Sequence, residues 1–424
     1  METTTASGTR SALDVAWVRA QFPSLRLTVK DQPAAFLDAP AGTQVPQQVM
    51  DAMRDYLLYA NCNTAGAFLT SRRTDAMLAG AHQAMADFLN CEREEVYFGA
   101  NMTTLTFALA RSIGRELRPG DEIVTTTLDH DANVAPWRAL EEIGVVVRQA
   151  DIRVEDCTLD MDGLREKMTS RTRLVAVGYA ANAVGTINDV QEVVRLARAA
   201  GALSFIDAVH YAPHGPIDVR ALDCDFLACS PYKFFGPHMG AMYGKREHLS
   251  RLKPYKVRPA PENLPDRWET GTQSHEGIAG VAAAVDYLAG LGRRAEPAVS
   301  SRRAAILAAY RSIREYEGAL ARKMIAGLLE VPGLTFYGIS DPARFAWRVP
   351  TVGIRLAGKT PVEIAAWLGE RGIFTWDGNY YAVNLTERLG VEQDGGLLRI
   401  GLVHYNTADD VERLLAALHE LAAP

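Results

Sequence analysis

The sequence predicts an α/β fold built on a mostly parallel sheet, followed by a smaller α+β unit. Short apolar runs of buried-strand length alternate with helical periodicity between about residues 96 and 229. Near Ala295 the character changes: a long helical segment, RRAAILAAYRSIREYEGALARKMIAGLLE, leads to shorter strand-like runs. At 424 residues, 48% of them hydrophobic, the chain has ample material for more than one core. Its net charge of −6 offers no basic face for nucleic acid, and no run of eighteen apolar residues predicts a membrane span.

The opening METTTASGTRSALD has no apolar stretch and reads as a frayed lead-in rather than a signal peptide. Ala16–Phe22 reads as a short amphipathic helix ended by Pro23, and Ala35–Leu37 as a strand feeding a Gly/Pro loop. A helix follows with Pro46 in its first turn, then a polar loop, NCNTAGAFLTS. In TDAMLAGAHQAMADFLN, Met77, Ala81, Met85 and Phe88 fall on one helical stripe, which marks core. The strand Val96–Phe98 breaks at Gly99 and enters a helix near Thr103, where free N–H groups and hydroxyls suit an anion. Pro119-Gly120 turns into a strand over Ile123–Thr127, followed by Asp129-His130-Asp131-Ala132-Asn133. Val145–Arg148 and Leu174–Val177 read as further strands, with Asn182 just beyond the second.

Two more apolar runs, Leu203–Ile206 and Asp225–Cys229, lead to Asp207 and to Ser230-Pro231-Tyr232-Lys233. In an α/β sheet, ligands sit beyond the carboxyl ends of the strands, so this acid and this lysine face one crevice. Pyridoxal phosphate (PLP) needs such a pair: an amine for its Schiff base and a carboxylate for its pyridine nitrogen. Apolar Phe234 and Phe235 beside Lys233 would desolvate the amine and lower its pKa. A polar, Pro-rich stretch from Lys253 to Glu276 reads as a long loop, and GIAGVAAAVDYLAGLG as an apolar helix. TVGIRLAG and LLRIGLVHY then read as strands, PVEIAAWLGERG and ADDVERLLAALHELA as helices. The cysteines, 62, 91, 157, 224 and 229, are scattered and odd in number, which suits reduced thiols in a cytoplasm; Cys224 and Cys229 read as buried and structural. No metal site is expected.

DAVH, with the lysine of SPYKFFGPHMG 26 positions after its Asp207, resembles the core of fold-type I PLP enzymes of aminotransferase class V. The likeness is to the subgroup of cysteine desulfurases and selenocysteine lyases, and it covers about residues 15–420. It implies a large PLP-binding domain over residues 31–294 with a mostly parallel seven-stranded sheet. It also implies a small domain over 295–424, with residues 1–30 packing on it, and a homodimer with shared active sites. By the resemblance, Asn101, Met102, Thr103 and Ser230 hold the cofactor phosphate, and Thr272 of E-T-G-T reaches the partner's phosphate. His130, in D-H-x-A-N-x-x-P-W, stacks on the pyridine ring and shuttles protons. Asn182 and His210 lie beside the phenolic oxygen, His210 where desulfurases usually carry Gln, and Tyr232 stands where the family often has His. Lys233, His130 and Asp207 are the expected catalytic residues, and Arg399 is expected to clamp the substrate carboxylate.

One stretch departs from the pattern. Desulfurases carry a cysteine in a loop resembling R-x-G-x-x-C-A, whereas this chain has GIFTWDGNYYAVNL. Aligning Gly378 with the motif glycine puts Tyr381 at the cysteine and Trp376 at the arginine. A phenol cannot form a persulfide, so the expected reaction is elimination: a C–S β-lyase acting on cysteine or an S-substituted cysteine. Trp376 and Tyr381 are expected to bind a larger side chain, with Asn182 also near the substrate. The alternatives are decarboxylation with oxidative deamination, epimerisation or transamination of a related amino acid, and a degenerate PLP-fold interaction module.

Overall fold

The computed structural model describes residues 13–423. Residues 1–12, part of the expected N-terminal segment, lie outside the described residues. Seven strands form the large sheet: β1 (Val96–Gly99), β2 (Glu122–Thr126), β3 (Val146–Ala150), β4 (Thr172–Gly178), β5 (Leu203–Asp207), β6 (Phe226–Cys229) and β7 (Gly240–Gly244). Their spatial order is β1-β7-β6-β5-β4-β2-β3. β7 runs antiparallel to both neighbours, and every other pair is parallel.

The strands read as unbroken apolar runs because both faces of the sheet are covered. Along β4, Val175 and Val177 enter one core, with Val124, Ile206 and Leu227. Leu174 and Ala176 enter the other, with Ile123, Phe205 and Phe226. The expected strands are thus present, with ends displaced by one or two residues. β7 is absent from the sequence expectation, because Gly240 and Gly244 at its ends hide its strand character. Gly240 has a tertiary reason: a Cβ there would meet the backbone of Asn101 at 2.5 Å.

Ala81, Met85 and Phe88 of the expected stripe are fully buried on the helix Leu69–Leu89, and Met77 packs against the same core. The helix His275–Ala295 lies close to the helix Arg302–Leu329. At their contact a Cβ on Gly292 would stand 1.7 Å from the Ala305 carbonyl oxygen, so glycine permits the approach. The Arg302–Leu329 helix, about 42 Å long at 1.5 Å per residue, serves two cores. Ala305, Ile306 and Tyr310 pack on the large sheet, whereas Leu320, Met324 and Ile325 pack on a second core.

That second core lies on an antiparallel sheet of β8 (Leu334–Tyr337), β9 (Thr351–Leu356), β10 (Trp376–Gly378) and β11 (Leu397–Gly401), in the order β8-β9-β11-β10. The strand Ala35–Phe36 pairs with Ile373–Phe374 rather than with the large sheet, and Ala35 and Leu37 are buried with Ile373 and Ile400. A two-residue strand offers too few hydrogen bonds to persist alone, so burial decides where it docks. The short helix Val15–Ala20 packs on the large-sheet core: Val18 is buried in it, Trp17 stacks on Tyr287, and Arg19 donates to the Tyr405 carbonyl.

Candidate active site

Four parallel strands and β1 end at one cavity. Beyond β1, Asn101 caps the helix Met102–Gly114, its Oδ1 accepting from the Thr104 N–H at 2.8 Å. That leaves the first N–H groups, at Met102 and Thr103, directed at the cavity with the positive end of the helix dipole. Beyond β2 lie Asp129 and His130, beyond β4 Asn182, at the end of β5 Asp207 and His210, and beyond β6 Ser230, Tyr232 and Lys233. The sheet brings these residues together although they are spread over 133 positions, from 101 to 233.

Lys233 is buried and its ammonium donates to the Pro40 carbonyl. Burial, with Arg399 adding repulsion, holds its pKa well below the usual lysine range, so the amine is available as a nucleophile. Asp207 Oδ1 accepts from the Val209 N–H at 2.9 Å, and burial pushes its carboxyl up to about 6. His130 Nδ1 accepts from the Ala132 N–H at 3.0 Å, which places the imidazole proton on Nε2. Burial, then Lys233 and Arg399, lowers its pKa to about 4, so the ring is neutral. His210 Nε2 meets Thr351 Oγ1 at 3.0 Å, and burial keeps this ring neutral too. The Tyr232 ring lies 4.8 Å beneath the lysine ammonium and stacks on His238.

Arg399 lies on β11, buried, its guanidinium 4.1 Å over the Tyr380 ring and donating to the Asn182 carbonyl at 3.0 Å. Its Nε has no hydrogen-bond partner, and neither has the buried Asn182 Oδ1. Burial lowers the arginine's pKa to about 10, still charged at neutral pH. A buried cation without a carboxylate partner is costly unless a ligand supplies one.

The residues present fit PLP. A helix N-terminus suits the phosphate, a buried carboxylate suits a ring cation, and a buried neutral amine suits the aldehyde. Thr272 lies elsewhere, exposed beside a separate cavity lined by Asn63, His82, Glu269 and His275. Trp376 and Tyr381 stand at the rim, 51% and 72% exposed, and do not line the cofactor cavity.

Sequence reasoning missed Asp129, Asp38, Thr351 and, as the ring beneath Arg399, Tyr380. Asp129 lines the cavity wholly buried; burial, with Asp207 adding repulsion, raises its carboxyl to about 7. Its place next to His130 at a strand's carboxyl end was the available signal. Asp38 and Thr351 carry no local motif, since only the docking of the small sheet brings them to Arg399 and His210.

Residues 35–414 match the family described as aminotransferase class-V. The chain belongs to the class-V aminotransferases. These are PLP-dependent enzymes, and the chain's α/β architecture is theirs. It is 33% identical to a cysteine desulfurase of Pectobacterium atrosepticum, across 95% of this chain and 97% of that protein. With a cysteine desulfurase of Dickeya dadantii the identity is 34%, across 95% and 96%. The apo structure of a cysteine desulfurase from Thermococcus onnurineus superposes with a TM-score of 0.84 at 26% identity, covering 99% of each chain. A cysteine desulfurase structure from Escherichia coli gives 0.81 at 27% identity, over 97% of this chain and 99% of that one. Within this class-V chain the loop from Trp376 to Ala382 contains no cysteine. Burial pushes the Cys157 thiol up to about 12, and those of Cys224 and Cys229 higher still, so these three are inert. No helix among the described residues is long and apolar enough to cross a membrane.

Proposed function

We propose that the protein is a PLP-dependent C–S β-lyase that acts on cysteine or an S-substituted cysteine. The observation that carries this reading is the rim. Where the pattern of a desulfurase puts its cysteine, this chain has Tyr381, whose ring stacks on His130 at 5.4 Å. A site with the buried amine and carboxylate of a PLP enzyme but no thiolate at its mouth breaks the C–S bond without receiving the sulfur.

PLP, when bound, supplies an electron sink for the bonds of the substrate α-carbon. Asp207 would hold its ring nitrogen, Ser230 and the N–H groups of Met102 and Thr103 its phosphate, with Asn101 capping that turn. Asn182, His210 and Tyr232 would surround its remaining polar atoms. Arg399 orients the substrate by its carboxylate. Lys233 Nζ, neutral through burial, takes the α-proton. The C–S bond then breaks with its electron pair on sulfur, and His130 Nε2–H protonates the leaving thiolate. Water consumes the remaining fragment, and the products are thiol, pyruvate and ammonia.

The dimer belongs to the same reading. Thr272 lines a cavity separate from the cofactor's and would reach a second copy's phosphate. Leu57, Leu58, Tyr59, Phe68 and Leu69 lie together at the ends of two successive helices, each more than half exposed, as an apolar face for that copy. We further propose a large unit over 31–294 and a small one over 295–424, with the N-terminal segment packing with the small one. The free cysteines suit a cytoplasmic location.

Incubating the purified holoenzyme with L-cysteine and S-substituted cysteines, with assays for pyruvate, thiol, persulfide and carbon dioxide, tests the reaction. Pyruvate with free thiol is expected. Protein-bound persulfide or carbon dioxide without pyruvate would overturn the lyase reading.

A further inference from the structure

Three aromatic residues lie on the edge strand and loop beside Arg399, and only one of them, Tyr380, packs on its guanidinium. Tyr380 lies beneath the cation, its hydroxyl donating to the Leu397 carbonyl. Trp376 is directly opposite Arg399 in the β10–β11 pairing, so both side chains leave the same face of the small sheet. Arg399 is buried at the base of that face, whereas half of Trp376 is in solvent. Tyr381, on the other side, is more exposed still and covers His130.

This loop is held in place. The Tyr380 carbonyl accepts from Asn182 Nδ2 at 2.9 Å, and the Tyr381 carbonyl accepts from the Asp131 N–H at 2.7 Å. Both tyrosines have left-handed backbones, φ +56 and +59, a conformation unfavourable for residues with a Cβ. Asn379 Oδ1 supports it by accepting from the Tyr381 N–H at 3.0 Å. Two rings exposed to water thus stand by a buried cation that makes no salt bridge among the described residues, Asp38 acting on it only at longer range.

We propose that Trp376 and Tyr381 form an aromatic mouth that selects amino acids whose sulfur bears a planar aromatic substituent. The carboxylate meets Arg399 and the substituent packs between the indole and the phenol. The sulfur class is taken from the lyase reading above, while the mouth rests on geometry alone. Free cysteine, which has no substituent to bury there, is the poorer ligand.

The probes are 3-phenylpropionate and propionate, which share the carboxylate and lack the amine, titrated into the holoenzyme by calorimetry. Phenylpropionate is expected to bind about tenfold tighter, a difference of the size that aromatic contacts supply. Trp376→Ala and Tyr381→Ala should each reduce that ratio at least about threefold, a fraction of one aromatic contact. Trp376→Phe and Tyr381→Phe should retain it, and Arg399→Ala should weaken both acids together. Equal affinities for the two acids in the wild type, or an unchanged ratio in either alanine variant, overturns the proposal. So does a dimer that dissociates in either variant by light scattering, since the rings would then be covered by protein. Because no bond is broken in this assay, a preserved ratio without pyruvate formation would fail the lyase reading alone. Pyruvate formation with a flat ratio would fail the mouth alone.

Discussion

Lys233 and Asp207 stand at the ends of strands covered on both faces, whereas Trp376 and Tyr381 stand on and just beyond an edge strand of the small sheet. The first pair is positioned by β5 and β6, whose Asp207 and Ala228 are in register, and each residue is within a tenth of full burial. The second pair is positioned by two carbonyl contacts and two left-handed residues, with at least half of each ring in water. Burial is what gives the floor of the cavity its chemistry, since it neutralises the amine and raises the carboxyl. Exposure leaves the rim free to differ without disturbing that chemistry. The comparison teaches that the kind of catalysis belongs to the floor and the choice of substrate and exit to the rim.

The contrast predicts that floor substitutions cost far more than rim substitutions. Lys233→Ala should lower turnover by at least about a thousandfold, as for loss of a nucleophile that is also the base. It should also release the cofactor on dialysis, seen by absorbance. Retention of a tenth of the wild-type rate would move the amine elsewhere. Arg399→Ala, between floor and rim, should raise KM about 30-fold or more, as expected for loss of one partner of a buried charge pair. An unchanged KM would remove the clamp.

Asp207 supplies a test that needs no turnover. Its carboxyl is raised to about 6 in the folded cofactor-free protein, so the folded state binds more protons than the unfolded state between about pH 4 and 6. The contribution of Asp207 to stability falls as pH rises through that window, by roughly 3 kcal/mol at most for two pKa units, while buried histidines such as His130, whose pKa is lowered, contribute in the opposite sense. Urea unfolding of wild type and Asp207→Asn at about pH 4.5 and about pH 7 separates the two: the change in stability from the lower to the higher pH should be more negative in the wild type than in the variant. With PLP bound the ring cation should hold the carboxyl down, and the dependence should shrink or reverse. The same pH dependence in the cofactor-free wild type and in Asp207→Asn would break the assignment.

The smallest effect is expected beneath the arginine. Tyr380→Leu removes the ring under the guanidinium and should raise KM about 3- to 30-fold, the range of a partly desolvated cation–π contact. Tyr380→Phe keeps the ring, loses the hydroxyl's bond to Leu397, and should stay within about threefold of the wild type. If Phe is as damaging as Leu, the hydroxyl rather than the ring positions Arg399.

Much of the floor was legible because its signals are local. An apolar run ending in Asp207, another ending in Ser230 and Lys233, and Asn101 before a helix each state their place within a few residues. A buried parallel strand allows one short, unbroken apolar pattern, and its carboxyl end is where ligands sit. The rim was less legible. Tyr381 was expected as a substrate contact from the position of a missing cysteine; its ring stacks on His130, while its neighbour Tyr380 meets Arg399. Two adjacent tyrosines in the left-handed region point their rings in directions that strand alternation does not anticipate.

By itself, the sequence determined six of the sheet's seven strands, the lysine–carboxylate pair and the absence of a thiol at the loop, because each is written within one contiguous stretch. The tertiary structure alone decided the rest. It put the strand Ala35–Phe36 beside Ile373, set Thr351 against His210, left Arg399 without a salt bridge among the described residues and gave it Tyr380 instead of Tyr381. These are contacts between residues from 141 to 338 positions apart, or choices between neighbours of the same type. Only burial and backbone geometry, which no local pattern encodes, discriminate among them.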